Sequence, residues 1–141
     1  MNRFGLGRRQ DTRKSQTSVH LEADGCCLNG ITCRQDVISL SSCEAECHAG
    51  ARGISEAFGA KSIFEFLGYH VVMRWRCDNQ SARQLARQEG TGRNRHLAAK
   101  ILWIQDLVKR KELLIEAVPG ADNKSDLGTK ILPRTRLEWL R

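Results

Sequence analysis

The sequence predicts an α/β domain in which one mixed β-sheet is flanked by helices. Three observations support this class. Apolar and polar side chains alternate over 70–77, a helix-start signal opens a long segment at 41–44, and strand-like and helix-like segments follow one another along the chain. A chain of 141 residues is the size of one ordinary domain. We therefore expect a single folded unit with helices covering the sheet.

The first sixteen residues, MNRFGLGRRQDTRKSQ, are rich in Arg and Gly and show no strand or helix periodicity. We interpret 1–16 as an irregular basic arm, a remnant of the region of a first strand, 17–132 as the folded domain and 133–141 as a C-terminal amphipathic tail. Strand-like segments at 18–21 and 37–40 enclose two turn dipeptides, Asp24-Gly25 and Asn29-Gly30. They predict one hairpin, in which either dipeptide can make the turn.

A long helix is predicted to begin at Ser41, because Glu44 follows it at the capping-box spacing, and to end near Gly68. Small side chains recur at every fourth position, which would let the helix lie close against a sheet. These positions are Ala45, Ala49, Gly53 and Ala57.

The later elements follow from periodicity and from breaker residues. The alternating segment 70–77 predicts a strand with Asp78 at its exit, and helices are predicted at 81–89 and 96–111. The segment 113–118 is typical of a buried strand and ends at Pro119. A last helix at 124–131 is separated by Pro133 from an amphipathic piece at 134–140.

The charge balance favours a polyanionic partner. The chain carries 23 Lys and Arg against 16 Asp and Glu, a net charge of +7, and such an excess is typical of nucleic-acid binding without being specific to it. No run of eighteen apolar residues is present, so we expect no membrane partner. The N-terminus lacks the apolar stretch of a signal peptide, and we expect an intracellular protein of the cytoplasm or nucleus.

The six cysteines are expected to be reduced in such a compartment. Cys43, Cys47 and His48 suggest a zinc site, but no second ligand pair stands at the usual spacing. We favour free thiols packed as small apolar groups.

Three carboxylates are predicted to converge although they are far apart in sequence. Glu46 lies early in the long helix, Asp78 follows a central strand, and Asp126 begins a late helix. Carboxylate clusters at strand exits and helix starts are what divalent ions require at a phosphodiester. Each also has an ordinary interpretation: Glu46 as a solvated residue, Asp78 as a helix N-cap and Asp126 as a first-turn acid.

The motifs around these carboxylates resemble one family. The stretch VISLSSCEAE at 37–46 is similar to the "VALSS-x-EAE" of copia-type retrotransposons, and CDNQSA at 77–82 matches that family's motif in every letter. In the same order, RNRHL at 93–97 resembles "R-x-KH-I", and VPGADNKSDLGTK at 118–130 resembles "VP-x-x-x-N-x-AD-x-x-TK". Upstream, DTRKS at 11–15 resembles "TRKS", so that the resemblance covers nearly the whole chain.

The resemblance implies the RNase H domain of a Pol polyprotein, which hydrolyses the RNA strand of an RNA–DNA hybrid. It assigns Glu46, Asp78 and Asp126 as catalytic ligands of two Mg²⁺ (or Mn²⁺) ions, with Glu44 as the helix cap, unless these two glutamates exchange roles. A reverse transcriptase domain is the expected neighbour in the parent polyprotein, and a monomer is expected. Residues expected to contact nucleic acid are Asn79, Gln80, Arg93, Arg95, His96 and Lys100.

The sequence departs from this family at the first strand. Active relatives carry an Asp in a motif like "D-x-DWAG" about eight residues before "TRKS", where this chain has RFGLGRR at 3–9 and no carboxylate. Loss of that ligand should weaken the ion site, and loss of the strand should leave neighbouring backbone groups unpaired. We therefore expect an impaired nuclease from a decayed element, or a non-catalytic nucleic-acid-binding remnant. A zinc module is a third, less favoured hypothesis.

Overall fold

The computed structural model describes residues 14–90 and 98–140. Within them, a 3-10 turn (Gly120–Asp122) precedes the last two helices. The elements are, in order, β1 (Gln16–Ala23), β2 (Cys26–Arg34), α1 (Ser42–Phe66), β3 (Met73–Cys77), α2 (Gln80–Arg87), α3 (Ala98–Lys109), β4 (Leu113–Ala117), α4 (Asp126–Thr129) and α5 (Arg134–Trp139).

The described strands form two sheets of two strands each. β1 and β2 are antiparallel with Val19 opposite Ile31, whereas β3 and β4 are parallel with Trp75 opposite Ile115. The α/β class is confirmed, but the prediction of one continuous sheet is not met by the described residues. The reason is that no described strand lies between β1 and β3, so neither sheet extends to the other.

The hairpin is confirmed, and its turn is Asp24-Gly25, where both residues have positive φ, 50° and 79°. This pair of left-handed residues suits the twist of a two-residue hairpin turn. Gly30 instead lies within β2, opposite His20. The prediction of a strand at 37–40 is wrong, because β2 ends at Arg34 and the chain that follows forms an irregular connection to α1.

Side chains at both ends fix that connection. The Gln35 amide donates to Thr17 Oγ1 at 3.1 Å and to the carbonyl of Ala45 at 2.9 Å. The backbone N–H of Leu40 donates to Glu44 Oε2 at 2.6 Å, and the Ser41 hydroxyl accepts from the N–H of Glu44 at 3.2 Å. The capping signal thus predicted the start of α1 correctly, and α1 ends just before Gly68, whose φ is 88°.

Helix α1 packs against both sheets through its small residues. Gly50 faces the ring of Trp75 on β3, and a Cβ there would collide with the ring. Gly53 faces Val19 on β1, and a Cβ there would make a tight contact at 3.1 Å. The described core lies between α1, α2, α3 and the β3–β4 sheet. Its buried members are Ala51, Ile54, Met73, Ala86, Ile104, Leu107, Leu113 and Ile115, with a second cluster of Cys47, Cys77, Ala82, Leu85 and Ile101.

Candidate metal centre

Glu46 and Asp78 meet at the carboxyl end of β3. Glu46 stands in the second turn of α1, which crosses the end of that strand, and Asp78 is the first residue beyond it. One ligand atom from each of Glu46, Cys77 and Asp78 lies within 4.8 Å of the other two. The sequence therefore predicted correctly that these two carboxylates converge, although their role as ligands stays a prediction.

The surroundings disfavour charge on Glu46. Partial burial raises the pKa of its carboxyl, and the negative charges of Asp78 and, more weakly, Asp126 raise it further. The Cys77 thiol, 3.8 Å from Glu46 Oε2, acts in the opposite direction as a hydrogen-bond donor. Burial beside these acids raises the pKa of Cys77 itself to about 12, so the thiol keeps its proton at neutral pH.

Asp126 lines the same cavity but already has cationic partners. Its side chain is buried, with Lys130 Nζ at 2.9 Å from Oδ1 and Arg136 at 3.3 Å from Oδ2. It does not belong to the tight group of Glu46, Cys77 and Asp78. The structure thus brings the third predicted carboxylate to the same cavity and neutralises it with two basic side chains.

Sequence reasoning missed the part played by these basic side chains and by Cys77. Lys130 follows Asp126 by four residues, which is a signal for a pair across one helical turn. Arg136 lies on the next helix, and no local sequence pattern predicts its contact with Asp126. For Cys77 the sequence predicted only a thiol packed as a small apolar group, and not its hydrogen bond to Glu46.

Glu44 and Glu46 are now distinguished by position. Glu44 is buried at the start of α1 and accepts from the N–H of Leu40, as a cap should. Glu46 points to the cavity that holds Asp78. Of the two alternatives, the arrangement with Glu44 as cap is the one that the geometry matches.

The group of Glu46, Cys77 and Asp78 provides some of the ligands that a divalent ion requires, but not all of them. Two carboxylates offer the oxygen ligands that Mg²⁺ and Mn²⁺ prefer, and a bound cation would relieve their mutual repulsion. The thiol of Cys77 is a soft donor that suits Mg²⁺ poorly. A second ion would need ligands that the described residues do not bring into this group.

A cleft separates the two sheets, and we call it the trough. One wall is β1 and the other is β3, and α1 forms the floor through residues that include Ala49, Gly50 and Gly53. The carboxylates lie at one end, where the cavity measures about 280 Å³. A second cavity, of about 530 Å³, continues between the same walls toward the Asp24-Gly25 turn. The trough therefore runs along much of the length of β1.

The residues expected to contact nucleic acid are only partly described. Asn79 caps α2, because its side-chain oxygen accepts from the N–H of Ala82 at 3.0 Å. Gln80 is the first residue of α2, and Lys100 is exposed, with its Nζ 2.9 Å from Nδ1 of His48. Arg93, Arg95 and His96 lie outside the described residues.

The described cysteines do not build the suggested zinc site. The one cluster of metal-ligating side chains found in residues 14–90 and 98–140 is that of Glu46, Cys77 and Asp78, and it contains neither Cys43 nor His48. Packing as small apolar groups is confirmed for Cys47 and Cys77, which are buried. It is wrong for the three thiols of β2, which are exposed because that strand has few neighbours. These are Cys26, Cys27 and Cys33.

None of the described helices has the length and apolar character needed to cross a bilayer. No protein-family profile matches the sequence, and no solved structure matches it.

One curated protein is similar over most of the chain. It is the retrovirus-related Pol polyprotein from transposon TNT 1-94 of Nicotiana tabacum, 29% identical over 133 residues, which is 91% of this chain. The chain spans only 10% of that polyprotein's length. The similarity agrees with the copia-type motifs, and it supports a retrotransposon-derived chain that corresponds to a segment of a Pol polyprotein.

Proposed function

We propose that this chain is an RNase-H-like domain of a copia-type Pol polyprotein, which acts on the RNA strand of RNA–DNA hybrids with impaired efficiency. The observation that carries the proposal is the meeting of Glu46 and Asp78 at the end of β3, within the trough. The sequence similarity to a Pol polyprotein and the motifs around both residues support it. A reverse transcriptase domain is the proposed neighbour in the parent polyprotein.

In this proposal, Glu46 and Asp78 would hold a Mg²⁺ or Mn²⁺ ion. When bound, such an ion would supply Lewis-acid activation of a water for attack on a phosphodiester. Asp78 is fixed by its position directly after β3, and Glu46 by the packing of α1 on that strand. Because the pKa of Glu46 is raised, ion binding at this carboxyl competes with its protonation and should weaken as pH falls.

Two features account for the proposed impairment. The segment at 3–9 has no carboxylate to replace the first ligand. The second is the pairing of Asp126 with Lys130 and Arg136, which places positive charge beside the ion position. Each feature reduces the negative charge available to a second ion, and a two-ion site is therefore proposed to be weak.

The test is cleavage of an RNA–DNA hybrid by the purified chain with Mg²⁺ or Mn²⁺. We expect slow cleavage of the RNA strand that disappears in Asp78→Asn. Asp106→Asn is the matched control, because Asp106 pairs with Arg110 on the surface of α3. Cleavage that survives in Asp78→Asn, or that is absent at every metal concentration, contradicts the proposed enzyme.

The net charge of +7 and the neutralised Asp126 favour a second candidate, a nucleic-acid-binding remnant without turnover. It predicts hybrid binding that weakens steeply with salt while no cleavage occurs. Asp78→Asn should leave such binding unchanged or strengthen it. Binding that is insensitive to salt would contradict this candidate.

A further inference from the structure

A thiol, an imidazole and a carboxylate form a chain of contacts on the β1–β2 hairpin. Sγ of Cys27 lies 4.0 Å from Nδ1 of His20. The other nitrogen of the same ring, Nε2, lies 3.3 Å from Oε1 of Glu22, and the Lys124 ammonium donates to that same oxygen. We call Cys27, His20 and Glu22 the hairpin triad. None of the three belongs to the candidate metal centre of the described chain.

The register of the hairpin brings these side chains to one face. Residues two apart on a strand point to the same side, so His20 and Glu22 share a face of β1. Glu22 stands opposite Cys27 because the pairing shifts by one residue between Leu21 and Glu22. A bulge of this kind redirects side chains. Without it Leu28 would stand opposite Glu22, and Cys27 would point to the other face.

The contacts of His20 suit proton transfer from the thiol. When the Nε2 proton of a histidine faces a carboxylate, the neutral ring keeps a free lone pair on Nδ1. Nδ1 of His20 can then accept the proton of Cys27. Glu22 stays charged at neutral pH, because its bond with Lys124 lowers the pKa of its carboxyl. Its charge would also stabilise the imidazolium that forms.

We propose that Cys27 is a modification site at which small disulfides form a mixed disulfide with the protein. Nδ1 of His20 takes the thiol proton, and the thiolate of Cys27 attacks one sulfur of the small disulfide. A new S–S bond forms at Cys27 while the S–S bond of the small molecule breaks. The departing thiolate receives the proton from His20. One thiol is consumed and one is released, so no other oxidant is required.

Access and surroundings distinguish Cys27 from the other exposed thiols. His20 and Glu22 are partly buried, with 21% and 22% of their side chains exposed, which holds the pair in place beside an exposed thiol. Cys26 and Cys33 are exposed on the same strand, but in the part of the chain that the structure describes neither bonds to an imidazole. These two thiols are therefore internal references for the reaction, which is independent of the proposed nuclease activity.

The test measures initial rates of mixed-disulfide formation on the full chain with hydroxyethyl disulfide at neutral pH. Mass spectrometry of peptides locates each modified thiol. Because the reagent is uncharged, electrostatic attraction does not determine which thiol reacts first. Cys27 should react at least about tenfold faster than Cys26 and Cys33. Equal rates at the three thiols overturn the proposal.

His20→Gln is the decisive variant, and His70→Gln is its matched control, because His70 is an exposed histidine outside the hairpin. The measured quantity is the rate at Cys27 divided by the rate at Cys26. This ratio should fall close to unity in His20→Gln and stay unchanged in His70→Gln. A ratio that His20→Gln leaves unchanged overturns the proposal, even where a loosened hairpin makes both thiols react faster.

Two further measurements examine the role of the folded hairpin. Glu22 acts through His20 as a positioning residue, so Glu22→Gln should lower the ratio to an intermediate value, and an unchanged ratio overturns that role. In urea the unfolded original chain should show a ratio close to unity, because the triad depends on the strand register. A preference for Cys27 that persists in urea would come from its sequence neighbours and would overturn the proposal.

Discussion

The indole ring of Trp75 lies on the backbone of Gly50, so that a Cβ at Gly50 would stand 2.7 Å from Cε2 of the ring. This contact joins α1 to β3 a single helical turn from Glu46 and fixes the distance between the helix and the strand that carry the candidate site. Van der Waals contact between carbons begins near about 3.5 Å. The helix therefore tolerates no larger residue at this position without moving away from the sheet.

Gly50→Ala is expected to destabilise the fold by about 1–3 kcal/mol, the usual cost of overpacking. Gly59→Ala is the matched control, because Gly59 also lies within α1 and a Cβ there would meet nothing within 4 Å. At that position the higher helix propensity of Ala should stabilise by about 0.5–1 kcal/mol. Urea denaturation measures both, and a Gly50→Ala protein as stable as the original would contradict the contact.

Asn79→Ala is expected to lower stability by about 1 kcal/mol, because the cap of α2 loses its acceptor. Asn79→Asp keeps an acceptor at the same place and should retain most of the stability. Thermal unfolding of the three proteins measures the difference. If both substitutions cost the same, the side chain contributes through some contact other than the cap.

Thiol reactivity should divide the cysteines by burial. Cys26, Cys27 and Cys33 are exposed and should react with iodoacetamide within minutes at mildly alkaline pH, whereas Cys47 and Cys77 should react only after unfolding. Burial raises the pKa of each of the latter two thiols to about 12, so almost no thiolate is present. Mass spectrometry of timed samples measures the order in which the cysteines are modified. Early modification of Cys77 would contradict its buried position.

Glu22 should make stability depend on pH through its bond with Lys124. That bond, with a smaller contribution from His20, lowers the pKa of Glu22 in the folded state. Stability from this group is therefore present above the pKa of the unfolded chain and is lost as pH falls through the lower folded value. Glu22→Gln should cost less than about 1 kcal/mol at neutral pH, since the pair is partly exposed.

The loss of stability caused by Glu22→Gln should vanish at acid pH, because Glu22 of the original chain is then protonated and uncharged as well. Glu56→Gln is the control, because its pair with Arg52 lies within one face of α1 and joins no separate elements. Urea titrations from neutral pH down to about pH 3 measure both variants. If Glu22→Gln is still less stable than the original chain at about pH 3, the loss of stability is not electrostatic.

Lys130→Met should strengthen divalent-ion binding at the carboxylates. The substitution removes a positive charge 2.9 Å from Asp126 while keeping a side chain of similar length. We expect Mn²⁺ to bind at least about threefold more tightly at low salt. Lys109→Met is the control, because Lys109 pairs with Glu89 on the surface. Electron paramagnetic resonance of free Mn²⁺ measures the affinity. Equal affinities in all three proteins would contradict the assignment of the ion site to these carboxylates.

Local signals in the sequence predicted much of this arrangement. The spacing of Ser41 and Glu44 located the start of α1, and the position of Asp78 after an alternating strand placed it beside Glu46. Long-range pairing was harder to predict. The segment 37–40 has strand-like residues, yet the capping bond from Leu40 to Glu44 and the end of β2 at Arg34 leave it without a partner strand.

The partners of Asp126 show the same limit. Its pair with Lys130 is local and could have been predicted, whereas its contact with Arg136 depends on how α5 returns across the 3-10 turn. The separation of the two sheets likewise depends on which strands pair, and such pairing joins segments that are distant in sequence. Periodicity predicts strands well but says little about which strand edges keep no partner strand.

The β1–β2 hairpin contributes no residue to either buried apolar cluster of the described chain. It is held by the contact of Val19 with Gly53, by the Gln35 bonds and by α4. Elements with few buried apolar contacts open at a lower free energy than the body that they cover. The two halves of this domain are therefore expected to unfold as separate cooperative units, with the hairpin detaching first while α1, α3 and the parallel strands stay assembled.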